Sequence, residues 1–133
     1  KYAEKSSLEK IFENADILSF HVDENDLSIK MFNKSFIKKM RKPFWVINTS
    51  RGKVVSLEDL KWGIEKSIIF GAGLDVIELE DYSFENVTFK KNEILNFFLK
   101  SEKVIITPHI AGWTHESHHK LAKTIVDKIS KCF

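Results

Sequence analysis

One cysteine, two prolines and five glycines are all that 133 residues contain of these types, and each scarcity removes a class of protein. Cys132 has no second thiol, which excludes an intrachain disulfide and a thiol-rich metal site and makes a reducing cytoplasm the expected compartment. No apolar run approaches the ~20 residues of a membrane span, and no secretory signal is visible, so no membrane association is expected. Charge of neither sign dominates: the formal net charge is +2, too little to suggest nucleic acid or an acidic membrane as a partner. Repeats, low-complexity tracts and flexible linkers are missing too, so one domain is the simplest organisation. The first residue is Lys1 and not methionine, which fits a fragment of a longer chain.

What the sequence does have is apolar segments at two periods. Ser6-Ser7-Leu8-Glu9 has the spacing of a capping box, followed by Leu8, Ile11 and Phe12 on one helical stripe. Ile17 to Val22 reads as a buried strand. Asn33 can cap a second helix that buries Phe36, Ile37 and Met40, with Pro43 ending it. Phe44 to Asn48 is a second strand, Ser56 caps a third helix carrying Leu57, Leu60 and Ile64, and Ile68 to Val76 contains a third strand. Lys103 to Ile106 is a fourth, stopped by Thr107-Pro108, and a last helix from about Ser117 places Leu121, Ile125 and Ile129 on one face. Between these, Glu78 to Ser101 reads as a covering loop with a short helix. Strands that are continuously apolar and alternate with helices indicate an α/β fold, a parallel sheet with helices on both faces. On that reading Trp45, Trp62 and Trp113 are core or packing residues.

In open parallel sheets ligands bind beyond the carboxyl ends of the strands. Here those ends carry His21-Val22, then Asn48 to Gly52, then Asp75 with Glu80 beyond it, then Pro108-His109. A cation, carboxylates and an imidazole can thus meet on one rim. Taken singly, each has a plainer reading: Arg51 and Asp75 as turn residues, Glu80 within a solvated acidic cluster, His109 as a surface histidine. His115, His118 and His119 include an i, i+4 pair but lack a further ligand, so a solvated helix face is preferred and no metal is expected.

In combination these segments resemble a known family. Ile47-Asn48-Thr49-Ser50-Arg51-Gly52, Gly71-Ala72-Gly73-Leu74-Asp75-Val76 with Glu80, and Thr107-Pro108-His109-Ile110-Ala111-Gly112 occur in the order of the D-isomer-specific 2-hydroxyacid dehydrogenases. Ala15 to Val22 is similar as well, and within the family the likeness leans to the D-3-phosphoglycerate dehydrogenase-like group. The resemblance implies NAD as cofactor and a small D-2-hydroxy acid or 2-oxo acid as substrate, 3-phosphoglycerate among them, with a homodimeric intact protein. It matches Arg51, Glu80 and His109 to the family's catalytic arginine, glutamate and histidine. It matches Val22, Thr49, Ser50, Arg51, Asp75, His109, Ala111 and Gly112 to positions lining the dinucleotide.

Departures accompany the match. Asp81 follows Glu80 where the family usually has proline, Asp23 follows His21-Val22 likewise, and the stretch from Glu80 to His109 is long. The choice of Glu80 over Glu78 rests on its offset from Asp75. None of the five glycines forms G-x-G-x-x-G, so the phosphate-cradling turn is expected upstream. The expectation is therefore a partial Rossmann-like sheet, residues 1–133 being the C-terminal part of an NAD-binding domain without its first βαβ half. Such a chain should bind NAD weakly and turn over nothing alone. A non-catalytic dinucleotide sensor or protein-interaction module on the same scaffold is the alternative, and the intact Arg51, Glu80 and His109 set argues against it.

Overall fold

The computed structural model describes residues 4–78 and 92–132. Within them five helices and four strands follow one another: α1 (Leu8–Asn14), β1 (Ile17–Phe20), α2 (Lys34–Ile37), β2 (Phe44–Asn48), α3 (Leu57–Glu65), β3 (Ile69–Leu74), α4 (Glu93–Lys100), β4 (Val104–Ile106) and α5 (His115–Ile129). The strands form one sheet in the order β1-β2-β3-β4, and every pair is parallel. This is the expected α/β architecture with flanking helices.

The helix starts follow from side-chain oxygens that satisfy otherwise orphaned amides. Asn33 Oδ1 accepts from the Phe36 amide at 3.0 Å, Ser56 Oγ from Asp59 at 3.4 Å and Thr114 Oγ1 from Ser117 at 3.0 Å. Two boundaries differ from expectation. Helix α1 is capped by Ser7 and not Ser6, because Ser7 Oγ is the one that reaches an amide, that of Lys10. Helix α5 begins at His115, two residues before the expected Ser117, because Thr114 supplies the cap. Helix α2 is a single turn, and Met40 is buried beyond its end. Strand β1 stops at Phe20, short of Val22. Ser67 closes α3 with φ 56°, the left-handed turn usual for glycine, while the Ile68 amide donates back to Gly63.

Phe32 is the hub of the core. Fully buried, it lies with its ring centroid 5.3 Å from Phe20, 5.5 Å from Phe36 and 6.2 Å from Phe44. Around this cluster Leu18, Val46, Ile69 and Leu74 from the strands meet Ile37, Leu60, Ile64, Leu95 and Phe98 from α2, α3 and α4. Gly63 lets α3 sit close, since a Cβ there would come within 2.5 Å of Ile69 Cδ1.

The second face of the sheet corrects the expectation of cover on both sides. Register places Ile17, Trp45 and Gly71 in one row and Ser19, Ile47, Gly73 and Ile105 in the next. Trp45 is 49% and Ile105 71% exposed on that side. Burial therefore alternates along the strands, although their sequence is apolar throughout. The helices that contact the sheet lie on one side, and α5 buries none of its residues. Trp45 and Trp113 are correspondingly exposed, against expectation; Trp62 alone is packed against the core, beneath Lys34.

Truncating Phe32 to alanine should cost about 3–5 kcal/mol of stability. Leu27, 91% exposed, should tolerate alanine within about 0.5 kcal/mol. Urea denaturation of both variants checks this, and a Phe32→Ala loss no larger than that of Leu27→Ala would remove Phe32 from the centre of the core.

Candidate active site at the carboxyl rim of the sheet

Three strand ends are stitched together by one amide and one carboxylate. At the end of β2, Asn48 is fully buried. Its Nδ2 donates to the Arg51 carbonyl at 3.0 Å, and its Oδ1 accepts from the Ser50 amide at 3.1 Å and the Ser50 hydroxyl at 2.9 Å. The Asn48 side chain thus shapes the Thr49–Arg51 turn, while its carbonyl accepts from the Asp75 amide at 2.9 Å and ties β2 to the end of β3. Ser50 is buried by these bonds; Thr49 and Arg51 are left exposed. Arg51 Nη1 donates to the Ser50 carbonyl at 2.7 Å. Gly52 is obligatory next, because a Cβ would fall 1.9 Å from the Ile77 carbonyl oxygen.

From β3, Asp75 reaches across to the segment after β4. The residue is 5% exposed. One carboxylate oxygen accepts from the Thr107 hydroxyl at 2.5 Å and the Ile110 amide at 2.8 Å; the other accepts from the Ala111 amide at 2.9 Å. The Asp75 carbonyl takes the His109 amide at 3.0 Å. Burial raises the Asp75 pKa, but the Thr107 hydroxyl, the Ala111 and Ile110 amides and the charge of His109 together outweigh it, leaving the carboxyl below its usual value. His109 itself has φ 56°, the left-handed region that L-residues rarely adopt. That conformation costs about 1–3 kcal/mol, and the two charge-assisted bonds to the following amides, about 1.5–3 kcal/mol each, are large enough to hold it.

The sequence-predicted residues separate into groups on this frame. Ser50 and Arg51 after β2, Asp75 after β3 and His109 and Ala111 after β4 share one hydrogen-bonded network through Asn48 and Asp75, with Thr49 and Gly112 next to its members in the chain. Val22 stands exposed past the end of β1, beside His21, whose Nε2 shares a 2.7 Å hydrogen bond with Ser19 Oγ. Glu80 lies outside the described residues. Its rival Glu78 is engaged elsewhere: one oxygen pairs with Lys30 Nζ at 2.9 Å and the other accepts from the Leu57 amide at 3.2 Å, at the start of α3. Among the described residues no group of three or more His, Cys, Asp or Glu side chains is placed to hold a metal, and His115, His118 and His119 lie along the exposed α5. Reading the sequence missed Thr107 and the role of Asn48. A polar residue ending an apolar strand two positions before a serine was the available signal, since asparagine commonly bonds the amide two residues on.

Residues 1–111 match the model of the D-isomer specific 2-hydroxyacid dehydrogenase, NAD binding domain. The chain belongs to this family. An aromatic 2-oxoacid reductase of Clostridium sporogenes is 36% identical over 122 residues, covering 88% of this chain and 36% of the relative. A glyoxylate reductase of Korarchaeum cryptofilum is 31% identical over 122 residues, covering 92% and 34%. The crystal structure of a D-lactate dehydrogenase from Aquifex aeolicus, complexed with NAD and lactic acid, superposes with a TM-score of 0.73 at 30% identity, covering 94% of this chain and 39% of that one. The chain therefore spans little more than a third of the length of these relatives.

The rim offers an open backbone and a spare acceptor that suit a dinucleotide, and it lacks a phosphate-binding turn. A Cβ at Gly112 would meet nothing within 4 Å, so the backbone past Ala111 is open to a flat group. Of roughly four acceptor directions on the Asp75 carboxylate, three are taken, leaving one for an amide donor. No glycine-rich turn for the pyrophosphate exists in the 133 residues.

Because the Asp75 pKa is lowered in the folded chain, its contribution is present in full above the usual aspartate value, about 3.9, and is lost as pH falls through the depressed one. Amide exchange of Ile110 and Ala111, corrected for intrinsic pH dependence, should accelerate on acidification through that range. Asp75→Asn, which keeps shape but loses charge, should show accelerated exchange already at pH 7. Protection that is equal in both chains at pH 7 would refute the clamp.

Proposed function

We propose that this chain is the C-terminal part of the NAD-binding domain of a D-2-hydroxyacid dehydrogenase and carries its proton-transfer and carboxylate-binding residues. The single observation behind this reading is the Asp75 network, which brings the turn of Arg51 and the loop of His109 to one rim although the sequence holds them far apart.

In the proposed reaction NAD, when bound, accepts or supplies the hydride at C2 of the substrate. The chain's own groups do the rest. Arg51 presents a planar fork to the substrate carboxylate, and a guanidinium there also polarises the keto oxygen. His109 takes the hydroxyl proton in oxidation and returns it in reduction. Glu80 is the proposed partner that orients His109 and favours its imidazolium, and the engagement of Glu78 with Lys30 and α3 supports choosing Glu80. Val22, Thr49, Ser50, Asp75, Ala111 and Gly112 are the proposed cofactor-lining positions. Asp75 would act largely through the loop it holds.

The substrate class is a small D-2-hydroxy acid or its 2-oxo acid. Relatives named for glyoxylate and aromatic 2-oxo acids support that breadth more than the narrower 3-phosphoglycerate. A homodimeric intact protein and a cytoplasmic location complete the reading; no helix among the described residues is long and apolar enough to cross a membrane.

Titrating the 133-residue chain with NADH should shift the backbone NMR signals of Thr49, Arg51 and His109 to Gly112, weakly and without turnover of any 2-oxo acid. Shifts confined to other residues would sink the site assignment, and turnover by the chain alone would show that it needs no glycine-rich turn. Within a polypeptide that also supplies G-x-G-x-x-G, His109→Ala should lower kcat/KM about 10²–10⁴-fold. Arg51→Ala should raise KM for the 2-oxo acid more than Arg51→Lys does. Unchanged kinetics in both variants would assign the chemistry elsewhere and favour a sensor.

A further inference from the structure

The three hydrogen bonds of the Asn48 side chain all run to the turn that carries Arg51. Asn48 is fully buried at the end of β2. An amide in that position is costly without partners, and an apolar side chain would close the strand end over the core without that cost. What the amide adds is its hold on the turn.

The hold is centred on one peptide. Asn48 Oδ1 accepts from the Ser50 amide and Nδ2 donates to the Arg51 carbonyl, the two groups that flank the peptide joining Ser50 to Arg51. The oxygen of that peptide, the Ser50 carbonyl, receives Arg51 Nη1 at 2.7 Å. The guanidinium therefore hangs from a peptide plane whose flanks are both set by one buried side chain. Other contacts fix the far side of the turn. The Val54 amide donates to the Arg51 carbonyl at 3.2 Å, and Gly52 packs its backbone against the Ile77 carbonyl. Long cationic side chains on a surface sample many rotamers, and a guanidinium already held in one arrangement loses less freedom when it binds.

We propose that Asn48 is a positioning residue for the substrate carboxylate: through the Ser50–Arg51 peptide it holds the Arg51 guanidinium in one orientation before substrate arrives. The inference rests on the assignment of Arg51 to that carboxylate. Asn48 is buried and acts through Arg51, without meeting the substrate itself. Its backbone serves the other side of the rim, since its carbonyl accepts from the Asp75 amide at 2.9 Å. Substituting the side chain leaves that bond in place, so the loop of His109 should be undisturbed.

Kinetics of the polypeptide that also supplies G-x-G-x-x-G test this. The substrates are the fastest of glyoxylate, pyruvate and phenylpyruvate, and the matching 2-oxo amide, which has no carboxylate charge. Asn48→Ala removes all three bonds. Asn48→Ser is milder, because serine also bonds the amide two residues on, though more weakly; it carries the test where the alanine variant does not fold. Both should raise KM for the 2-oxo acid, serine about 10-fold and alanine up to about 100-fold. The amide should slow less than about threefold, and the pH profile of kcat/KM should keep its shape. In an Arg51→Ala background neither substitution should cost more than about a further threefold, since nothing is left for Asn48 to act on. If Arg51→Ala is impaired while both Asn48 variants keep the wild-type KM, this inference falls and the reading of Arg51 stands. Losses that multiply in the double variants, or that slow acid and amide alike, also overturn it. Unchanged kinetics in Arg51→Ala would sink the assignment of Arg51 and this inference together.

Discussion

The buried carboxylate of Asp75 is the joint on which the rim depends. It sits where β3 ends, and it adds three bonds to the two backbone bonds, Thr107 amide to Leu74 carbonyl and His109 amide to Asp75 carbonyl, that join the segment after β4 to the sheet. Strand β4 is only three residues long, too short to fix by its ladder a loop that runs on for eight residues to α5. Asp75 supplies what the ladder does not: a charge, out of water, whose oxygens face two backbone amides and a hydroxyl. A buried charge without such partners would cost several kcal/mol. With them, the same burial makes each bond stronger than it would be in solvent. The amide of Asp75 accepts no such freedom either, because it donates to Asn48 and so transmits the position of β2 to the loop.

This arrangement explains why an unfavourable backbone conformation is tolerated at His109. The left-handed turn lets the chain present the two amides after the histidine to one carboxylate, a concave array of N–H groups of the kind that receives anions. Glycine would adopt the turn at less cost but would carry no imidazole. Two other left-handed residues, Lys30 and Ser67, sit at turns of the scaffold; His109 is the one held by a buried charge. Local strain and its compensation thus occur together, and they coincide with the residue proposed to transfer the proton.

Much of this was legible in the sequence, and what was not has physical reasons. Strand and helix identities followed from period and from caps such as Asn33 and Ser56, whose effects are local. The rim residues followed from the rule that parallel strands deliver function at their carboxyl ends, made specific by the three motifs. The sidedness of the sheet did not follow. Ile17, Trp45, Ile47 and Ile105 are as apolar as Leu18, Val46 and Ile69, so composition alone declares both faces buried, whereas cover depends on where other segments pack. Trp45 and Trp113 read as core or packing residues for the same reason. The Thr107 bond was hidden because it joins residues 32 apart, a pairing that only the parallel order of β3 and β4 creates.

The apolar strands and the exposed face are therefore two sides of one constraint. A strand read as buried on both faces carries information about a layer whether or not that layer lies within the same residues. The chain spans about a third of its relatives' length, and among the described residues its sheet is covered on one side only. The rim does not depend on cover over the other face, since Asn48, Asp75 and the loop after β4 are fixed by bonds at the strand ends and by the core beneath. Trp45, Phe70, Ile47 and Ile105 are all exposed there, Trp45 and Phe70 ring against ring. The same sequence that pins the loop after β4 at one edge through Asp75 thus leaves, on the perpendicular face, apolar side chains that the described residues do not cover.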